Sequence, residues 1–188
     1  MRLLSLGLLF GGLFSQPAAA QVAPAPQVPL ATRVQVRGAD CALFSAGKPI
    51  NDVARIDGIA ADTVTGRFTP TKQQVDSAEN LLPMLLRDMA ASPRFRGKER
   101  YYKKHLRPLP KGLKGYRRQY FGFYNGQHQP CLYVNFFNPD SPYIKAFAFD
   151  WLLKTVLISD AGFMLDDSPN LWQVTFNLTT QQLYNFEF

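Results

Sequence analysis

The sequence predicts an α+β domain in which one amphipathic helix packs on an antiparallel sheet of four to five strands. Three stretches carry that reading. Residues 117–137 alternate with period two on either side of Asn125-Gly126, a pair that tolerates positive φ and so lets the chain reverse. Phe121 and Phe123 point one way with Tyr120, Gly122 and Tyr124 opposite, and the return run sets Leu132, Val134 and Phe136 against Cys131, Tyr133, Asn135 and Phe137. Residues 71–91 repeat apolar side chains at spacings of three and four, the stripe of a helix with one buried face. Residues 171–178 alternate again, with Trp172, Val174, Phe176 and Leu178 on the side assigned to the core.

The chain of 188 residues opens with the three parts of a secretory signal over residues 1–20. Arg2 is the positive start, Leu3 to Phe14 the apolar run, and Ala18-Ala19-Ala20 the small-residue cleavage site. The run is about twelve residues, short of the roughly twenty that a bilayer core requires. Cleavage near Ala20, a mature chain without a transmembrane segment, and a secreted or periplasmic address are therefore expected. Residues 21–31 hold Pro24, Pro26 and Pro29 and no charge, which reads as an extended Pro-rich tether. Residues 32–188 form the single domain, long enough for a core.

Within the domain, residues 32–37 alternate with Val34 and Val36 on one face, a short strand ended by Gly38-Ala39-Asp40. From Cys41 to Arg67, Gly47, Pro49, Gly58 and Gly66 interrupt any long element, and short strands are expected at about 53–56 and 63–68. Thr69-Pro70-Thr71 is a helix entrance whose threonine hydroxyls can cap free N–H groups. Val75, Ala78, Leu82, Leu85 and Met89 form the stripe, widened by Leu81 and Leu86. Pro83 lacks an N–H and crowds the carbonyl of Glu79, so a kink or division is expected there, and Ser92-Pro93 ends the helix. Pro108, Pro110, Gly112 and Gly115 predict a loop. After the first hairpin come a turn at 138–142, a short helix or irregular cover over 143–153, a strand at 154–159, the strand 171–178, a turn at 179–182 and a last strand at 183–188.

One segment sets the charge. Arg94, Arg96, Lys98, Arg100, Lys103, Lys104, Arg107, Lys111, Lys114, Arg117 and Arg118 stand against a single acid, Glu99, a balance of +10 in a chain whose total is +7. The remainder is net negative, so the basicity belongs to this segment alone. The interleaved Phe95, Tyr101, Tyr102 and Tyr116 would suit nucleic acid inside a cell. Behind a secretory signal that partner is less available, and anionic envelope lipid or polysaccharide is the candidate polyanion. A merely solvated basic loop is the plain alternative.

The cysteines are Cys41 and Cys131. An even count in an exported chain makes them a candidate disulfide closing about 90 residues. Two separate buried thiols are the alternative. No metal-binding or redox spacing is present, nor a nucleophile, phosphate-loop or zinc-protease motif. His105 lies in the basic run and His128 in the hairpin turn, where both read as exposed loop residues. Asp166-Asp167-Ser168-Pro169-Asn170 lacks the spacing of a calcium loop and reads as a polar turn. Asp150, Asp160 and Glu187 lie near strand ends, where a carboxylate pair could serve a hydrolase. Asn177-Leu178-Thr179 fits a glycosylation sequon. Tyr120, Tyr124 and Tyr133 read as cover for the sheet rather than as the lining of a groove.

Phe68-Thr69-Pro70-Thr71 at the helix entrance, Arg118-Gln119-Tyr120-Phe121-Gly122 on the first long strand and Asn177-Leu178-Thr179-Thr180 near the end resemble a group of uncharacterised secreted bacterial α+β proteins over residues 68–188. The resemblance implies compartment and fold and carries no activity. A helix followed by antiparallel strands also resembles cystatin-like and nuclear-transport-factor-like layouts, without the Gln-x-Val-x-Gly loop a cystatin would have. Fold analogy alone licenses no function. The residues themselves favour a non-enzymatic binding module, acting through its sheet face and residues 94–118, with no cofactor. Two alternatives stand beside it: a small enzyme with a pocket between helix and sheet around a buried acid, and a protease inhibitor with an exposed rigid loop. An enclosed pocket holding an ionisable side chain distinguishes the enzyme.

Overall fold

A computed structural model describes residues 31–47, 65–92, 104, 106, 109–140 and 170–187. The expected signal, the tether before residue 31, the strands at 53–56 and 154–159 and the cover at 143–153 lie outside them. The architecture is α+β, and its sheet is larger than expected, with seven strands. These are β1 (Ala31–Val36), β2 (Ala39–Phe44), β3 (Gly66–Phe68), β4 (Arg117–Tyr124), β5 (Pro130–Phe137), β6 (Leu171–Asn177) and β7 (Gln182–Glu187). Their order is β1-β2-β4-β5-β6-β7, and β3 pairs with β4 off that path. Pairing is antiparallel except between β2 and β4.

Strand β2 escapes sequence patterning for a physical reason. Arg37 and Gly38 both take positive φ, 51° and 80°, and a two-residue turn of that kind follows the twist of its flanking strands. The strand after it shows no alternation because both of its sides are covered. Cys41 and Leu43 join one apolar cluster, Ala42 and Phe44 the other. The β4–β5 hairpin forms in the expected place, but its positive φ sits at His128 (57°) rather than at Asn125-Gly126. Asn125 closes the loop instead, its Oδ1 accepting from the backbone N–H groups of Gln127 (3.0 Å) and Gln129 (2.9 Å).

Helix α1 (Lys72–Ala91) begins in a capping box. Thr71 Oγ1 accepts from the Gln74 N–H at 3.3 Å, and Gln74 Oε1 accepts from the Thr71 N–H at 2.9 Å. Pro83 does not divide it. Val75, Ala78, Glu79, Leu82 and Leu86 are buried on both sides of the proline, and that shared face holds both halves against the sheet. The Pro- and Gly-containing stretch before β4 is also more regular than the expected loop: a short helix α2 (Leu109–Gly112) runs into a 3-10 turn at Leu113–Gly115. Leu106, Leu109 and Leu113 are buried and draw this stretch onto the core.

The sheet is buried on both faces. Helix α1 covers the side carrying Tyr120, Leu132, Val134, Phe136, Trp172, Val174 and Phe176. Phe136 and Trp172 stack there with centroids 3.6 Å apart. The far side carries Phe44, Phe121, Phe123, Cys131, Tyr133 and Phe137. Tyr120 and Tyr133 are therefore core residues, each 1% exposed, not cover, and only Tyr124 of the three is exposed. The same two-sided burial overturns the expected disulfide. Cys41 belongs to the helix-side cluster and Cys131 to the far-side cluster, and both thiols are free and buried. Side chains on opposite faces of one sheet cannot be bridged. Among the described residues, no helix is long and apolar enough to cross a membrane.

Candidate ligand-binding face

An acid that the sequence alone does not single out is at the centre of the helix–sheet interface. Arg118 Nε lies 2.7 Å from Glu79 Oε1, with both side chains 3% exposed. The Tyr120 hydroxyl donates to the same carboxylate oxygen. Arg118 is held from behind as well, Nη1 donating to the Tyr116 carbonyl (2.8 Å) and Nη2 to the Leu113 carbonyl (2.9 Å), while its guanidinium carbon sits 5.3 Å from the Phe136 ring centroid. Burial, then the Glu79 charge, pushes the Tyr120 hydroxyl well above its usual range. Burial lifts the Cys41 thiol on the neighbouring strand to about 12. The cavity beside this cluster, lined by Glu79, Leu82, Tyr120 and Val174 among others, has room for only about 10 Å³, the space of one water molecule.

The far face carries a row of amides among its apolar side chains. Gln119 of β4 pairs with Asn135 of β5, which pairs with Gln173 of β6, so three adjacent strands place an amide on one rung. Their exposures are 0%, 5% and 2%. Asn135 Nδ2 donates to Gln119 Oε1 at 3.3 Å, and the Tyr133 hydroxyl donates to Gln173 Oε1. Asn135 Oδ1 and the buried Thr175 Oγ1 have no hydrogen-bond partner. On one side of this rung lie Phe44, Phe121 and Tyr133, with centroids 4.4 Å and 6.0 Å apart in succession. On the other side, Arg33 Nε donates to Asp40 Oδ1 at 2.6 Å while Arg117 Nε stays 3.8 Å from Asp40 Oδ2. Two guanidiniums thus share one carboxylate, and Arg117 Nη1 is buried without a partner.

The basic segment is divided by the fold. Lys104, Lys111 and Lys114 are exposed. Arg117 and Arg118 are consecutive on β4 and so point to opposite faces: Arg117 joins the polar far face, and Arg118, 2% exposed, is committed to Glu79 and is not available to a polyanion. Arg94, Arg96, Lys98, Arg100, Lys103 and Arg107 lie outside the described residues, as do His105, Asp150, Asp160 and residues 166–169. Glu187 closes β7 opposite Gln173 of β6. His128 is exposed in its turn. Asn177 of the sequon is 5% exposed, and its Nδ2 donates to Gln129 Oε1 at 2.6 Å, so the nitrogen that would carry a glycan is engaged. Among the described residues, no group of three or more His, Cys, Asp or Glu side chains could hold a metal ion.

Two signals in the sequence point to these sites once they are sought. Glu79 falls inside the apolar stripe, four residues after Val75 and three before Leu82, where an acid must be paired to be buried. The amide rung follows from the hairpin register, because a Tyr124–Pro130 pairing also sets Gln119 opposite Asn135. No family model, no curated protein and no solved structure matches this chain.

Proposed function

We propose that this chain is a non-catalytic binding domain that holds a polar ligand against the far face of its sheet, at a secreted or periplasmic address. The basic segment supplies a second contact, to anionic envelope lipid or polysaccharide, through its exposed lysines. The observation that carries the reading is the buried amide rung with Asn135 Oδ1 and Thr175 Oγ1 left unbonded. A buried polar group without a partner costs about 1–3 kcal/mol, and buried polar atoms as a rule find partners. A ligand that bonds to them removes that cost. Less in favour of an enzyme between helix and sheet are the cavity there, which admits about 10 Å³, and the Glu79 carboxylate, which is held by Arg118 and Tyr120. The described hairpin turns at 37–38, 125–129 and 178–181 are short and do not present an exposed rigid inhibitory loop.

The test is made on the protein alone, without ligand. Thr175→Val keeps the shape of the side chain and removes the unbonded hydroxyl. This raises the melting temperature by about 2–4 °C, the equivalent of roughly 1 kcal/mol in a domain of this size. Asn135→Leu holds or raises it, despite losing the bond to Gln119. Loss of several degrees in both variants would show that the rung is a structural network, and the reading would be abandoned.

A further inference from the structure

We propose that strand β1 is a docking edge: it takes up an extended segment of a partner protein as an added strand, with an acidic side chain of that segment beside Arg33. Among the described strands, β1 lies at one end of the sheet order and has β2 as its single neighbour. Its six residues pair with β2 without a register shift, and none of them takes positive φ. The turn decides which way its backbone groups point. Arg37 and Gly38 make a two-residue turn with positive φ at both positions, the geometry in which the flanking pair, Val36 and Ala39, exchanges both hydrogen bonds. Val34 and Thr32 then bond to β2 as well, and the N–H and C=O groups of Ala31, Arg33 and Gln35 point away from it. Among the described residues, no other backbone group bonds to these.

Edge strands are ordinarily blunted by a bulge, a proline or a protruding lysine. Strand β7, at the other end, is bent by a register shift between Gln173 and Thr175 and by positive φ at Asn185 (50°). Strand β1 carries none of these devices, and its one charge is drawn inward, Arg33 Nε donating to Asp40 Oδ1 at 2.6 Å. Such an edge binds an extended chain through main-chain hydrogen bonds, and the side chains on either face select which chain. Ala31, Arg33 and Gln35 share the far face, while Val34 and Val36 pack with the helix-side cluster. The Arg33 side chain is 50% exposed, and Arg33, Asp40 and Arg117 set two cations against one anion. A carboxylate beside Arg33 on the incoming strand balances that group, and an apolar side chain suits the half-buried Val34 on the other face. A second copy fits poorly, because its β1 carries Arg33 and no acid and would bring a further cation to the same place.

The experiment titrates the mature full-length chain into a labelled, end-blocked peptide, Thr-Val-Glu-Val-Thr-Val-Thr, and into the same peptide with Lys in place of Glu. Fluorescence anisotropy reads binding, and sedimentation reads the oligomeric state of the peptide-free chain. The expected result is that the Glu peptide binds at least about fivefold more tightly, and that Arg33→Gln removes the preference. Gln35→Pro abolishes binding of both peptides. The proline deletes an N–H that β2 does not use, so the β1–β2 pairing is kept. A second handle leaves the protein untouched. Alternate N–H groups of an added strand face its neighbour, so methylating one alternate set of peptide nitrogens abolishes binding and methylating the other does not. Binding by neither peptide, or equal binding of the two, overturns the proposal. Binding that tolerates both methylated sets, or that survives Gln35→Pro, puts the peptide elsewhere and overturns it too. A dimer of the peptide-free chain that Gln35→Pro returns to monomer assigns the edge to a second copy instead. The amide rung plays no part in any of these outcomes, so the far-face reading stands or falls on Thr175→Val alone.

Discussion

Glu79→Ala removes the carboxylate on which the helix–sheet interface converges, and its effect can be worked from the contacts. In the wild type Glu79 takes an ion pair from Arg118 at 2.7 Å and a hydrogen bond from the Tyr120 hydroxyl, all three side chains being buried. The truncation leaves a guanidinium with only the Tyr116 and Leu113 carbonyls as acceptors, and leaves the tyrosine hydroxyl unpaired. Breaking a buried pair from one side costs about 3–5 kcal/mol, because the surviving charge remains desolvated. Arg118→Met alone costs a comparable amount, since it strands the carboxylate. The double variant Glu79→Ala/Arg118→Met removes both charges and therefore costs less than the sum of the singles, by about 2–3 kcal/mol. It does not return to wild type, because the two carbonyls still lose their donor. Urea denaturation supplies the measurement, with midpoints compared at unchanged m. A Glu79→Ala loss below about 1 kcal/mol, or strict additivity in the double variant, would refute the reasoning, because either result means that the pair is solvated.

Gly122→Ala places a Cβ 2.4 Å from the Phe68 carbonyl oxygen and 2.7 Å from its ring, so β3 must move; a loss of about 1–3 kcal/mol is expected, against little change for Gly112→Ala, where nothing lies within 4 Å. Both thiols should resist a thiol reagent at pH 8 in the folded protein and react in denaturant, and a failure to find two would restore the disulfide. The Cys41 pKa of about 12 against 9.0 unfolded means that the native state keeps a proton the unfolded chain releases. Stability therefore falls as pH rises above 9, by up to about 1.4 kcal/mol per unit from this group, and Cys41→Ala shows a shallower fall; equal slopes would remove Cys41 as the cause. Heparin binding by the basic segment should weaken steeply between 0.01 and 0.15 M salt, as the Debye length shrinks from about 30 to about 8 Å. Replacing Lys103, Lys104 and Arg107 with Gln should weaken it without unfolding the domain, and no binding at low salt would leave the segment a solvated surface.

What is legible in the sequence is whatever keeps a regular period of residue type. Helix α1, β4, β5 and β6 each alternate or repeat, and their existence and approximate bounds follow from that period. Strand β2 is illegible because both of its faces are apolar, Cys41 and Leu43 on one and Ala42 and Phe44 on the other, which erases alternation. Gln173, Thr175 and Asn177 mislead in the opposite way: their polarity alternates with the apolar face and looks solvent-facing, but they are buried. Tyr120 is misleading because its own strand shows aromatics on both sides, and only the pairing with Val134 reveals that it faces the helix. The disulfide expectation uses cysteine count and compartment, neither of which reports on which face of the sheet a side chain stands. Glu79 is inconspicuous because a single acid in a helix is ordinarily a surface residue. Its position in the stripe becomes informative only when Arg118, one strand position from Gln119, is seen to face it.

Six of the seven strands form three hairpins, β1–β2, β4–β5 and β6–β7, sewn together by the parallel β2–β4 pairing and the antiparallel β5–β6 pairing, while β3 lies along β4. Each hairpin closes a short loop and can form in about 1–10 μs. β2 must find β4 across roughly 70 intervening residues, in a parallel register that no turn can nucleate. The slow event in folding is therefore the docking of finished hairpins, not their formation. Until it happens, the stretch of β4 that receives β2, residues 118–121, has a bare edge able to pair with any other extended chain. For the exported chain proposed above, late closure keeps the polypeptide loose enough to be threaded through a translocation pore. It also makes the interval just after release the time when the chain is most exposed to aggregation.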